Sequence, residues 1–189
     1  DHNGLLVQTK EELKEVMQEA LKQGFQIGTH AIGDRANREL LNWYEESYNE
    51  VLLSERDAEV QEPRWRIEHA QNIHPDDQQR FIDIGIIPSM QASHAIGDLH
   101  FAEERLGLDR LKYAYPWKTM VDFGAKVIGG SDAPVEVGDP RIEFYAAVAR
   151  KDLSGFSSEG WHPEEALSRQ EALKMLQFGP HMARSKKMY

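Results

Sequence analysis

Short apolar runs alternate with stretches of helical periodicity along this chain, and that alternation confines it to one fold class. Thr9 and Glu12 have the spacing of a capping box, Leu13, Val16, Met17, Ala20 and Leu21 follow at helical intervals, and Gly24 predicts the stop. Four strand–helix units come next. Their strands are expected to end at His30 and at His69, to cover 86–91, and to end at Asp132. The helices are expected from about Asp34 into the 40s with Leu40, Leu41, Tyr44 and Tyr48 inside, and after His74-Pro75 as far as Gly85. Others are expected over 116–124 and after Asp139-Pro140, with Ile142, Phe144, Tyr145 and Val148 inside. Ser168 and Glu171 open a last helix through Met175 and Leu176. Residues 53–63 read as an exposed connection and 92–110 as a long polar loop. Strands that alternate with helices pair in parallel, in a sheet or barrel with helices outside.

The 189 residues suit one unit over 1–189, against roughly 250 for a full eight-stranded α/β barrel. Four units make half of such a barrel, whose open strand edges need a cover, either a second copy of the chain or another half. A homo-oligomer through the open barrel edge is therefore expected. The net charge of −10 and the lack of a basic run argue against nucleic acid as a partner. No apolar stretch approaches ~18 residues, so no membrane partner is expected, and Asp1-His2-Asn3-Gly4 does not read as a signal peptide. The absence of Cys excludes disulfides and thiolate metal sites; it leaves the compartment open, with the cytoplasm the preferred reading.

The chemistry-bearing residues sit at the strand ends. Imidazole is the commonest side-chain ligand for zinc, iron and manganese. His30 and His69 close neighbouring expected strands ~4.8 Å apart, close enough for two side chains to converge on one ion at ~2.0–2.1 Å. A single strand-end His is usually just a hydrogen-bonded polar residue. Two of them, with Asp132 on a later strand, point to one face of an α/β barrel, where such barrels keep their chemistry. Asp132 fits a proton-carrying carboxylate near a metal, and it fits equally an Asx-turn before Ala133-Pro134. His94 and Asp98 fall in the expected loop after the third strand, where substrate contacts would lie. Asp34 reads as a helix cap, Glu68 as an ion-pair partner of an Arg, and His2, His74, His100, His162 and His181 as surface or cap residues. Gly129-Gly130 lacks nucleotide-loop spacing and is assigned to tight packing.

Four segments in order carry a resemblance. They are Thr29-His30-Ala31-Ile32-Gly33-Asp34-Arg35-Ala36, Arg66-Ile67-Glu68-His69-Ala70-Gln71, Pro88-Ser89-Met90-Gln91-Ala92-Ser93-His94 and Gly130-Ser131-Asp132-Ala133-Pro134-Val135. Together they resemble the amidohydrolase superfamily, more closely its family 3 branch of metal-dependent hydrolases, which includes proteins called exoenzyme regulatory proteins. The resemblance covers about residues 5–178. It implies a TIM-type (β/α)8 barrel of which this chain supplies strands five to eight, the C-terminal half, with one or two divalent metals at the mouth, zinc foremost.

By that resemblance His30 and His69 are metal ligands, Asp132 is a metal ligand and the catalytic proton carrier, and His94 and Asp98 lie on the substrate side. The family's chemistry implies a metal-activated hydroxide that cleaves a C–N or C–O bond of a small-molecule substrate. Two departures stand out. No His here is followed two positions later by another, and no Lys or Glu stands where the family bridges its metals. The expectation is thus an incomplete part of the active enzyme; the alternative is a non-catalytic half-barrel that oligomerises or binds a partner.

Overall fold

Each strand in the computed structural model is short, and each is followed by at least one helix that packs back on the sheet. The structure describes residues 3–58 and 62–178. Residues 59–61 of the charged connection, His2 and His181 lie outside the described residues.

Helix α1 (Lys10–Gln23) begins where expected. The Thr9 side chain accepts from Glu12 N, the Glu12 carboxylate accepts from Thr9 N at 2.9 Å, and Gly24 closes the helix with φ 74°. Met17, Ala20 and Leu21 face inward, whereas Val16, part of the same apolar spacing, is exposed. Strand β1 (Gly28–Ala31) leads into α2 (Asp34–Glu50), β2 (Arg66–His69) into α3 (Pro75–Ile84), and β3 (Ile87–Met90) into α4 (Ala92–Asp98). Then follow α5 (Ala102–Leu106), α6 (Leu108–Leu111), α7 (Trp117–Asp122), β4 (Ile128–Gly129), α8 (Pro140–Ala149) and α9 (Arg169–Leu173), which continues as a π-turn over Lys174–Phe178.

The four strands form one parallel sheet in the order β1-β2-β3-β4, as successive crossovers place them. Its two faces differ. Thr29, Ala31 and Ile67 face the helices: Tyr44 of α2 donates to Thr29 Oγ1 at 2.6 Å, and Ile67 is fully buried. Trp65, also fully buried, donates its indole N–H to Phe25 O and lies 5.0 Å from the rings of both Tyr44 and Tyr48. On the other face, the space beside Gly28 is filled by Arg66 and Glu68, which pair at 2.7 Å as the sequence suggested. Ile87 and Ile128 make a small apolar pair separate from the main core. Gly28 and His30 are exposed.

Four expectations need correction. Residues 92–110 are three short helices rather than a loop. Ala92, Ala95, Ile96 and Leu99 recur at helical spacing and are buried. The fourth strand is two residues long, so Asp132 lies beyond it in a turn at φ 57°. In α8 the inward stripe is Glu143, Ala146 and Ala147, and the bulkier Ile142, Phe144, Tyr145 and Val148 are only half-buried. Small residues win there because α8 runs close against α4. Gly33, not Asp34, is the N-cap of α2; Asp34 instead pairs with Arg110 at 2.8 Å. Of the two glycines assigned to tight packing, Gly129 behaves as expected, since a Cβ there would come to 3.0 Å from Met175 and Leu176, but a Cβ at Gly130 would meet nothing within 4 Å.

Candidate metal centre

Parallel register sets His30 opposite Glu68 and Ala31 opposite His69. A regular strand would therefore send His69 to the helix face with Ala31. It does not. His69 and Ala70 take left-handed backbone, φ 74° and 42°, and the His69 ring lies edge-on to His30 with centroids 4.5 Å apart. Left-handed conformations at non-glycine residues cost about 1–3 kcal/mol each and gather at functional sites. Here the distortion brings two imidazoles to the C-terminal end of the sheet.

The next strand fixes the second of them. Gln91, buried at the end of β3, has its Oε1 2.8 Å from His69 Nδ1. A carbonyl oxygen only accepts, so Nδ1 is the donor, and in the neutral ring this leaves the Nε2 lone pair to face the site. That is the outer hydrogen bond that orients a metal-ligating histidine.

His30 is held below its ordinary pKa. Partial burial of its ring is the main cause, His69 adds to it, and the Asp132 carboxylate opposes both. A depressed imidazole stabilises the fold above the unfolded pKa, and that contribution is lost as pH falls through the folded one. Metal-free protein should therefore lose thermal stability between pH 7 and pH 5, and His30→Asn should flatten that loss. Equal slopes in melting curves of the two proteins would contradict the assignment.

His94, in α4, stacks over His69 at 5.6 Å. Its Nε2 is buried without a hydrogen-bond partner, facing Asp132 Oδ2 at 4.0 Å and Glu136 Oε1 at 3.8 Å, both too long for hydrogen bonds. An orphaned buried imidazole nitrogen between two carboxylates fits a missing cation or polar ligand. Asp132 thus joins the cluster through His94 and through its field at His30. Among the described residues no three His, Asp or Glu side chains stand close enough together to hold an ion as a ready-made set. The residues fit a divalent metal as a partial site, with two imidazoles in place and a carboxylate nearby.

Asp98 is held by two donors. Gln71 donates to its Oδ2 at 2.9 Å and the Tyr115 hydroxyl donates to the same oxygen. Burial first, and then the Asp98 carboxylate, drive the Tyr115 phenol far above its ordinary pKa, so it stays a donor. Sequence reasoning missed Gln91, Gln71, Tyr115 and Glu136. Gln91 and Gln71 lay inside the quoted segments. Glu136 follows Asp132 by four residues, and its only signal was a second acid in the same turn.

The profile of the amidohydrolase family matches residues 2–186 of the chain. The chain belongs to the amidohydrolase family. It is 31% identical over 173 residues to YtcJ of Bacillus subtilis (strain 168), provisionally named an amidohydrolase, covering 92% of this chain and 31% of that protein. It is 27% identical over 181 residues to the N-substituted formamide deformylase of Arthrobacter pascens, with 95% and 31% covered. Among solved structures, it resembles an uncharacterized metal-dependent hydrolase from Pyrococcus furiosus with a TM-score of 0.79 and 30% identity, over 96% of this chain and 34% of that one. This amidohydrolase chain therefore spans about a third of the length of its relatives, and its α/β fold on a parallel sheet resembles that of the Pyrococcus hydrolase. None of its described helices is long and apolar enough to cross a membrane.

Proposed function

We propose that this chain supplies one part of a metal-dependent hydrolase that cleaves a C–N bond, or a related C–O bond, of a small molecule. In this reading β1–β4 are four consecutive strands of a (β/α)8 barrel, and the catalytic mouth is the end of the sheet that carries His30 and His69. The observation that carries the proposal is the His30–His69 pair, drawn together by left-handed backbone with His69 already oriented by Gln91. The family membership and the named chemistry of the Arthrobacter relative support hydrolysis at a C–N bond.

His30 and His69 would hold a divalent ion, zinc foremost, with Asp132 as a further ligand. When bound, such an ion acidifies water and polarises a carbonyl. The residues of the chain do the rest. Asp132, near His30 and His94, accepts the proton of the attacking water and passes it to the departing nitrogen or oxygen. His94 Nε2 faces the same space and bonds the substrate. Gln91 holds the neutral His69 ring in the tautomer whose Nε2 can bind the ion. Asp98, fixed by Gln71 and Tyr115, shapes the substrate side of the mouth.

Zinc titration followed by NMR of the histidine side chains tests this. The expected first shifts are at His30 and His69, and Asp132→Asn should weaken but not abolish them. Zinc that perturbs His100 or His162 first would defeat the reading.

A second reading is favoured by the exposed Gly28 and His30 on edge strand β1. There the chain pairs with a copy of itself through that edge, without turnover of its own. Light scattering separates the two, because a monomer at micromolar concentration excludes the pairing.

A further inference from the structure

A cavity of about 200 Å3 lies between α4 and α8, directly beside the candidate metal centre. Its walls are mainly apolar: Ile96 from α4, Ile142 from α8, and Val137 and Leu153 from the adjoining loops. Val137 and Leu153 are 82% and 67% exposed, which makes them a greasy rim on a strongly acidic protein. Large exposed apolar residues that border a concave site mark a binding surface.

Three carboxylates also line the cavity, and two are accounted for. Buried Glu143 accepts from Ser93 N at 3.0 Å and so caps the start of α4. Asp152 accepts from Ser154, from Phe156 N and from His100. Glu136 is different. No Lys or Arg pairs with it among the described residues, and the group that faces it is His94 Nε2 at 3.8 Å, across the boundary between cavity and metal centre. No Lys, Arg or His lines the cavity itself.

We propose that this cavity is a substrate subsite that takes an apolar arm ending in an ammonium or other N–H donor, with Glu136 as the group that selects for it. The inference rests on the hydrolase reading above for its link to turnover. The wall residues bury the hydrocarbon part of the arm, and the Glu136 carboxylate receives its cationic end. Because Glu136 also touches His94, an arm seated here places the adjoining amide at the imidazole cluster. The cavity's size suits one side chain rather than a whole drug-sized molecule.

The test uses n-pentylammonium, n-pentanol and pentanoate as probes, followed by amide shifts of Gly97 and Gly138 in the full chain. Millimolar affinity, on the order expected for so small a ligand, should appear for pentylammonium, roughly tenfold weaker for pentanoate. Glu136→Gln should reduce pentylammonium binding about fivefold and leave pentanol unchanged. Gly97→Leu should block all three probes. Gly97 lines the cavity, a Cβ there meets nothing within 4 Å, and leucine suits a helix better than glycine, so this variant should fold. Equal affinity for the three probes, or binding indifferent to Gly97→Leu, would overturn the proposal. Zinc binding in the same samples keeps the two readings apart. Zinc at His30 and His69 without amine binding sinks the subsite alone. Amine binding without zinc sinks the hydrolase reading and leaves the cavity's ligand chemistry standing.

Discussion

Replacement of Arg150 by alanine is expected to cost about 3–5 kcal/mol of stability, read as a lower urea midpoint at unchanged slope. Arg150 is 1% exposed and closes α8 in left-handed backbone, φ 51°. Its Nε donates to Trp161 O at 2.6 Å and its Nη1 to Tyr115 O at 3.1 Å. The guanidinium lies 4.4 Å from the ring of Trp117 and 5.4 Å from that of Trp161. Burial lowers its pKa to about 10, against the opposing charge of Glu165. Alanine would take the side-chain donor from the Trp161 carbonyl, leave the Tyr115 carbonyl with Trp117 N alone, and open a void between two indoles. It would not relieve the backbone, since alanine is as strained as arginine in that conformation, so the loss reads the side chain itself. Arg150→Lys should fall between, because it keeps the charge and loses the fork. A loss under about 1 kcal/mol in Arg150→Ala would mean that the cage is solvated and not structural. The site should feel the change as well, since the Tyr115 carbonyl that Arg150 anchors belongs to the residue that holds Asp98.

The second large effect is on metal affinity. His69→Ala removes one of two imidazoles and should weaken zinc binding by at least about a hundredfold in competition with a chelating dye. Gln91→Leu is the sharper variant. Leucine fills similar space at the end of β3 but cannot accept from His69 Nδ1, so the ring loses its fixed tautomer. Orienting partners of this kind are worth roughly ten- to a hundredfold in affinity. A change below about threefold in Gln91→Leu would mean that the hydrogen bond is incidental and that His69 is no ligand.

Where the chain announces its elements through local chemistry, those elements are where the sequence puts them. The Thr9–Glu12 and Ser168–Glu171 boxes, His74-Pro75 and Asp139-Pro140 all start helices, because a cap is decided by residues within one turn of each other. The segment 92–110 misleads because His94, Asp98 and His100 interrupt an apolar stripe made mostly of alanine, which reads weakly as hydrophobic. The inward face of α8 is hidden for a related reason, since close packing selects Ala146 and Ala147 over larger neighbours. The meeting of His30 and His69 at one end of the sheet is legible because His69 ends β2 and His30 is the last residue but one of β1. Gln91 and Glu136 are not, because their roles follow from contacts made across the fold, with His69 and His94. Asp132 remains tied to the cluster by charge, in a turn that Pro134 foretold only in part.

The most direct measurement is metal per chain by elemental analysis, on the protein as purified and on a His30→Ala, His69→Ala double mutant. The account predicts near-stoichiometric divalent metal in the first and essentially none in the second. Metal absent from both, or equal in both, would contradict the claim that these two histidines form a metal-holding half-site.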